Sequence, residues 1–324
     1  MHGNFQRNFM RDAQQALGFL VSQTSYIESS VVEIVYPDVQ YPLLIPVDTS
    51  ANEWAKSVTY YSSDKVGRAG WFHGFAKDIH IADVERAAHE VGIEMADIGY
   101  RYTLEELGTA MLVPGTNLTS ERAAAARRAY EEFVDEIALR GDTEKNLPGF
   151  INYPGITIMT PAAGTGGQLD WVAKTADEIL VDVNAILTGM YTASNTVEIA
   201  DTILLPVSAM AVIATKRIPN TTMTVLTFLL SNNVYTHVTG QALMIRAVRG
   251  LDVAGTGGTG RMVAYRRDPS VLKMHIPMTH RFLPVYQTGP MIFDIPGIFR
   301  LGGLEIRRPQ AVRYMDGIMD APYE

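Results

Sequence analysis

A long hairpin pattern near the start of the chain restricts what the sequence can fold into. Residues 54–81, WAKSVTYYSSDKVGRAGWFHGFAKDIHI, place β-branched and aromatic residues on two flanks around the turn-forming stretch SSDKVG. Apolar residues fall on both faces of this hairpin, and an isolated two-stranded hairpin is at best marginally stable in water. The adjoining sequence offers no obvious cover, so the pattern predicts that other chains cover it.

The first fifty residues indicate an arm rather than a packed unit. A short helical pattern over residues 9–21 runs into SSVVEIVYPDVQYPLLIPVDTS, in which Pro37, Pro42 and Pro46 recur. Proline fixes φ and removes a backbone donor, which makes this segment a poor central strand. We expect it to lie extended along a surface, most simply that of a neighbouring chain.

Helix and strand patterns alternate through the rest of the chain and predict an α+β fold. The clearest helix spans residues 119–140, with Thr119 or Ser120 as its cap and Gly141 after its end. At 1.5 Å per residue it forms a rod of about 30 Å. One apolar stripe marks its buried face: Ala123, Ala126, Tyr130, Phe133, Val134 and Ile137. A second amphipathic helix is predicted for residues 171–194. Residues 201–217 indicate a buried strand that runs into a helix, and residues 262–278 and 302–318 alternate as strands do.

The charge of the chain is unevenly distributed. The net charge is −8, yet residues 240–313 contain eleven Lys and Arg against four Asp and Glu. Two interpretations stay open: complementary surfaces that dock one copy against another, or solvated faces that happen to differ. There are no cysteines, which excludes disulfides and thiolate metal sites. The longest apolar stretch, residues 204–214, is short of the ~20 residues of a membrane span, and the N-terminal sequence does not favour export.

One glycine-rich motif bears on whether the chain is a nucleotide-binding enzyme. Residues 255–261, GTGGTGR, satisfy G-x-G-x-x-G through Gly255, Gly257 and Gly260. A dinucleotide site also needs a preceding strand, a helix opening at the third glycine and an acid about twenty residues later. Here an alternating stretch, RMVAYRRDPS, predicts a strand after Gly260, and residues 275–285 hold no acid. We therefore expect a flexible, arginine-ended loop and no cofactor.

The histidines and Ser208 are not spaced as a catalytic or metal-binding site requires. The histidines at 73, 80 and 89 and the pair His275 and His280 lack the spacing of a metal-binding helix, and the last two are expected on opposite faces of one strand. Ser208 lies outside any nucleophile elbow and indicates a core or turn serine. The sequence predicts neither a catalytic nor a metal site.

The order of these pieces carries a family resemblance. Four stretches support it: WAKSVTYYSSDKVGRAGW, GYRYTLEELGTAM before the long helix, DTILLPVSAM, and MVAYRRDPSVLKMHIP with the ending GGLEIRRPQAVRYMDGI. In this order they resemble the Hong Kong 97-type major capsid proteins of tailed bacteriophages over nearly the whole chain. The resemblance implies an N-terminal arm (1–50), an extended hairpin loop (51–82), a peripheral domain with the long helix (83–189, completed by 301–324) and an axial domain (190–300).

The resemblance also implies a function. It predicts a structural, non-enzymatic subunit that assembles with itself through hexamers and pentamers into an icosahedral shell around double-stranded phage DNA. Implied partners are a portal, a separate scaffolding protein and decoration proteins, with assembly in the host bacterial cytoplasm, no membrane and no sequence-specific DNA binding. Lys56, Lys65 and Lys77 lie in or beside the hairpin, but no asparagine partner for a crosslink is identified. The expected contacts between subunits are Asp64, Lys65, Arg68, Trp71 and, from the glycine loop, Arg261.

Two other functions remain open from the sequence. A nanocompartment shell with the same fold would hold enzyme cargo in place of DNA. A nucleotide-dependent oxidoreductase would need saturable NAD binding that Gly257→Val abolishes.

Overall fold

The computed structural model describes residues 38–71, 81–106 and 118–321, and from Val39 onward these residues belong to one unit. The arm predicted for residues 1–50 therefore lies outside the described residues up to position 37. Within the described ranges, no helix is long and apolar enough to cross a membrane. The helices are α1 (Tyr41–Leu44), α2 (Leu118–Arg140), α3 (Ala176–Ala193), α4 (Val207–Thr215), α5 (Val225–Ser231) and α6 (Val234–Thr239).

A five-stranded mixed sheet forms the centre of the unit. Its strands, in spatial order, are β7 (Thr157–Met159), β17 (Val312–Asp316), β10 (Arg261–Tyr265), β8 (Thr202–Leu205) and β9 (Met244–Ala247). β10 runs antiparallel to both β17 and β8, and the outer pairs are parallel. All five residues of β10 are buried, because both faces of this sheet are covered.

Two apolar cores lie on the two faces of this sheet. One contains Val263 and Tyr265 of β10 with the buried side of α2, and the other contains Met262 and Ala264 with α3, α4 and α5. Alternate residues of one strand thus enter different cores, as the two-residue period of a strand requires. The central sheet therefore separates the two cores.

The remaining strands build smaller sheets. A four-stranded sheet has the order β12 (Met278–Phe282), β15 (Gly297–Gly302), β3 (Asp83–Asp97) and β2 (Ser57–Val66). A three-stranded sheet has the order β1 (Val47–Asp48), β11 (Leu272–His275) and β16 (Leu304–Ile306). A second three-stranded sheet contains β13 (Tyr286–Gly289), β14 (Ile292–Ile295) and β4 (Tyr100–Thr103), and β5 (Gly141–Asp142) pairs with β6 (Leu147–Pro148).

The long helix is confirmed, with one change at its start. α2 begins at Leu118, so Thr119 and Ser120 lie inside it rather than before it. Gly141 follows its end with a φ of 77°, the left-handed conformation that favours glycine. Most of the predicted stripe is buried, but Phe133 is 40% exposed. α3 begins at Ala176, later than predicted, because Thr175 forms a capping box with Glu178.

The predicted turn of the hairpin was wrong, and residues 72–80 of its predicted second strand lie outside the described residues. Residues 62–66, taken from their composition as a turn, continue β2, and β2 pairs antiparallel with β3 from Ser57↔Gly92 to Val66↔Asp83. The hairpin therefore extends to residue 97 and includes sequence assigned to the peripheral domain. Ten consecutive strand pairs outweigh the local turn preference of Ser and Asp, which only biases an isolated segment.

Residues 41–48 were also wrongly expected on a neighbour's surface. Tyr41, Leu44 and Ile45 are buried in the chain's own core. Pro42 lies in the first turn of α1, where proline's missing donor has no partner to lose, and the carbonyl of Pro46 accepts from Met274 N at 3.0 Å. The prolines thus restrict the backbone without preventing this segment from packing.

Strand pairing does not follow the predicted domain limits. The closing strand β17 joins the central sheet between β10 and β7, and its residues Val312 and Tyr314 lie in the core that also holds the buried face of α2. α3, placed by sequence in the peripheral domain, packs in the core that also holds α4 and α5. The long-range antiparallel pairing of β17 with β10 decides this arrangement, and a division at positions 190 and 300 cuts through it.

Candidate inter-subunit surface

The most exposed element of the described chain is the β2–β3 ribbon. Nearly all of its side chains beyond Tyr60 are exposed, including Tyr61 at 73%, and Trp71, just past β2, is 96% exposed. β2 owes its strand conformation to the β-branched and aromatic run VTYY. Because only two strands pair here, neither face of the outer ribbon is covered by the rest of the unit.

Strand register sorts the charges of the ribbon tip onto opposite faces. Directly paired residues share a face, so Asp64 lies opposite Glu85, with Asp83 two residues further along the same face. Lys65 and Arg86 lie on the other face, opposite Val84 and Ser63 respectively. The tip is therefore acidic on one side and basic on the other.

The acidic face carries an unfavourable pair within the subunit. Like charges placed directly opposite on paired strands are destabilising, and Asp64 and Glu85 form no ion pair within the described ranges. A cationic group from outside the subunit would relieve the repulsion between Asp64 and Glu85, so the acidic face suits a cationic partner. Sequence reasoning missed Asp83, Glu85 and Arg86, because it ended the hairpin at residue 82, although acids at alternate positions of an extended segment were visible.

The base of the ribbon is attached to the body by specific contacts. Tyr60 stacks on His89 across the two strands at 4.9 Å, and the Arg307 guanidinium lies 5.1 Å from the Tyr60 ring centre. Ile93 N donates to Lys56 O, and Arg300 donates to the carbonyl of Glu53 at 3.1 Å. The ribbon therefore has a fixed base and an uncovered tip.

The glycine motif forms a hydrogen-bonded turn. Gly255 N donates to Thr259 O at 2.8 Å, and Gly257 and Gly258 have φ of 73° and 77°. A Cβ on Gly260 would come within 2.7 Å of Met319 Cβ. The strand predicted after the motif is confirmed as β10. Gly257 and Gly258 permit the tight turn, and Gly260 permits the close approach of the backbone to Met319. The expected flexibility is not seen, since Thr256 N and Oγ1 both donate to Asp316 at 2.8 Å.

Arg261 lies inside the subunit, which contradicts its expected role as a surface contact. It is only 6% exposed, and its guanidinium donates to both oxygens of Asp316 at 2.6 and 2.7 Å. The third donor reaches Ile151 O at 2.6 Å, and the guanidinium lies 4.6 Å from the Tyr314 ring centre. Burial alone would raise the pKa of Asp316, but hydrogen bonds from Arg261 and Thr256 hold it below its usual value.

Much of the basic excess of residues 240–313 is neutralised within the chain. Arg266 and Arg308 both pair with Glu198, at 3.0 and 2.6 Å, and Arg249 pairs with Asp135 at 3.0 Å. Arg281 pairs with Glu53 at 3.0 Å. These acids all lie outside the basic segment. Most of the positive charges that could form a docking surface between copies are therefore already paired within the subunit.

The histidines of the described ranges occupy separate environments. His275 and His280 lie on different strands, β11 and β12, and not on opposite faces of one strand as expected. His275 contacts Glu305, whereas His280 Nε2 lies 3.0 Å from Ile98 O. His73, His80 and Lys77 lie outside the described residues. Ser208 Oγ donates to Asp252 at 2.5 Å at the start of α4.

The fold and sequence match phage capsid proteins. The chain is similar to the capsid protein of Myoviridae phage XM1, at 18% identity over 91% of this chain and 97% of that chain, with a TM-score of 0.76. The capsid of the native GTA particle matches at 10% identity over 90% and 94% of the two chains, and that of Microbacterium phage Oxtober96 at 13% over 91% and 96%, both with a TM-score of 0.59. These similarities show a shared fold. No curated protein sequence matches. The family model described as "Major capsid protein" covers residues 67–318, and the chain belongs to the major capsid protein family.

Proposed function

We propose that this major capsid subunit assembles with copies of itself, through hexamers and pentamers, into an icosahedral shell that encloses double-stranded DNA in a phage virion. The observation that carries the proposal is the uncovered β2–β3 ribbon, with a fixed base and a tip of separated charges. Family membership supports a structural, non-enzymatic role.

The ribbon supports assembly on energetic grounds. A two-stranded ribbon with both faces in water gains little from its own pairing, yet here it is long and carries exposed aromatic residues. Large aromatic side chains dominate binding energy where they are buried at interfaces. We assign the contact role to Asp64, Lys65, Arg68 and Trp71, as the sequence predicts, and add Asp83, Glu85 and Arg86 from the strand register.

The net charge supports an enclosure for DNA. A chain with a net charge of −8 is repelled by phosphates at long range, which suits a container that does not bind its genome tightly. A portal, a separate scaffolding protein and decoration proteins complete the proposed particle, with assembly in the host bacterial cytoplasm. A nanocompartment shell would instead hold protein cargo. Nuclease-protected DNA in purified particles supports the virion shell, whereas protein cargo without DNA contradicts it.

Neutralising the acidic tip tests the contact surface. Asp64→Asn combined with Glu85→Gln removes the like-charge pair, so we expect an unfolding temperature equal to or above that of the wild type. The same change removes charges that face a cationic neighbour and should raise the concentration needed for assembly roughly fivefold. Light scattering measures assembly, and calorimetry measures stability.

The charge-matched control is Glu136→Gln with Glu144→Gln, which neutralises two exposed acids outside the β2–β3 ribbon. We expect this control to assemble as the wild type does. Equal assembly of the tip variant and the wild type would remove the acidic face from the contact surface.

A further inference from the structure

The tip of the β2–β3 ribbon presents two exposed faces of opposite charge. Asp64 and Glu85, paired across the two strands, lie on the acidic face, whereas Lys65 and Arg86 lie on the basic face. All four side chains are exposed. None of the four has an ion-pair partner in the part of the chain that the structure describes. Each face is therefore available to a partner of the opposite charge.

The charges restrict how two ribbons can meet face to face. A contact with two-fold symmetry uses the same patch on both copies, so it would place acidic face on acidic face or basic face on basic face. Like charges repel at such short range. A contact between the acidic face of one copy and the basic face of the next avoids this repulsion. Such a contact is heterologous, and heterologous contacts repeat from copy to copy and close into rings when the rotation between copies allows it.

The charges also have matching positions along the ribbon. Successive residues of a strand point to opposite faces and are about 3.3 Å apart along its axis. The strand register places Lys65 between the levels of Asp83 and Asp64. Arg86 lies one level further from the tip than Glu85. When two ribbons stack in the same direction without an axial shift, the cations of one copy therefore lie between and beside the carboxylates of the other.

The uncharged side chains behind the tip have complementary sizes in the same stack. Tyr61 lies on the basic face and is 73% exposed. The adjoining levels of the acidic face carry the small pair Ser62 and Ala87 on one side and the stacked rings of Tyr60 and His89 on the other. The stack thus covers an exposed aromatic ring, and aromatic side chains contribute strongly to binding when an interface buries them.

The body of the subunit is a poorer source of cations for the acidic face. Arg249, Arg266, Arg281 and Arg308, from the basic segment 240–313, already bind acids of their own chain. A second ribbon supplies two cations that have no such partner, at the spacing that the acidic face requires. Charge and register thus favour a ribbon as the partner of a ribbon.

We propose that the acidic face of each ribbon binds the basic face of the ribbon of the next copy, in a heterologous stack in which the ribbons run in the same direction. The partner of the tip is then a second copy of this chain. The contacts join Asp64 and Glu85 of one copy to Lys65 and Arg86 of the next. This inference rests on the proposed function, because it names the surface through which copies assemble.

Charge reversal with complementation tests the stack. Asp64→Lys with Glu85→Lys gives a basic charge to both faces, and Lys65→Glu with Arg86→Glu gives an acidic charge to both. Each variant alone should need at least about tenfold more protein for half-maximal association, because attraction becomes repulsion. An equimolar mixture should associate within about threefold of the wild-type concentration, because basic faces then meet acidic faces. Sedimentation velocity measures association and detects pairs and rings as well as shells.

The variant with all four reversals is the matched control. It exchanges the charges of the two faces and keeps the net charge of the chain, so it should associate within about threefold of the wild-type concentration. All four sites are exposed, and we expect the circular dichroism spectrum of every variant to match that of the wild type.

Two results would overturn the stack while wild-type assembly stays intact. Failure of both the mixture and the four-site variant, with each of them folded, would show that the faces bind the body of a neighbour or another protein. Wild-type association by either two-site variant alone would show that its reversed face makes no such contact. A wild type that remains single subunits at every concentration contradicts the proposed function together with the stack.

Discussion

Arg261→Met should destabilise the isolated subunit by about 3–5 kcal/mol, the usual loss when one partner of a buried ion pair is removed. The guanidinium contacts both oxygens of Asp316, so its loss leaves a buried carboxylate with only Thr256 as a donor. The carbonyl of Ile151 loses its bond from Arg261 in the same step. Urea unfolding of the unassembled subunit measures the change in free energy.

The double variant Arg261→Met with Asp316→Asn is the matched control. It removes both charges but keeps an oxygen that accepts from Thr256, so we expect it to recover most of the lost stability. If Arg261→Met unfolded at the same urea concentration as the wild type and only failed to assemble, Arg261 would be a contact between subunits after all.

A ribbon-shortened subunit should fold normally and fail to form closed shells. Replacing residues 62–87 by Asn-Gly joins Tyr61 to Ala88, which are already paired, through a two-residue hairpin turn. The buried core residues that the structure describes all lie outside the deleted stretch, so we expect stability within about 1 kcal/mol of the wild type. Assembly should be lost at every concentration tested, because we propose that the partners of the tip lie on other subunits.

Two measurements separate these effects. Circular dichroism and urea unfolding report the fold of the shortened chain, and electron microscopy reports its assembly. Ser62→Thr with Ser63→Thr keeps the full ribbon and should assemble normally. Closed shells of wild-type size from the shortened chain would remove the ribbon from the assembly mechanism.

Local patterns predicted the elements whose stability is local. The three- and four-residue spacing of Ala126, Tyr130, Val134 and Ile137 located the long helix, and Gly141 located its end. The buried strand and the helix expected within residues 201–217 are confirmed as β8 and α4. The strand expected after Gly260 from the alternation of its residues is confirmed as β10.

Pairing between distant segments could not be predicted in the same way. The stretch at 62–66 has a turn composition, but its strand conformation depends on partners at 83–87. Arg261 was expected at the surface because its partner, Asp316, lies 55 residues further along the chain. The same long-range choice places β17 in the central sheet. Charge sorting on the ribbon tip became visible only once the register was known.

Electron microscopy of the wild-type chain, expressed without other phage proteins, tests the central claim most directly. Because we propose that the uncovered ribbon binds copies of this chain, we expect hollow shells or rings of five and six subunits. A population that remains single subunits at every concentration, while circular dichroism shows it to be folded, would contradict the account.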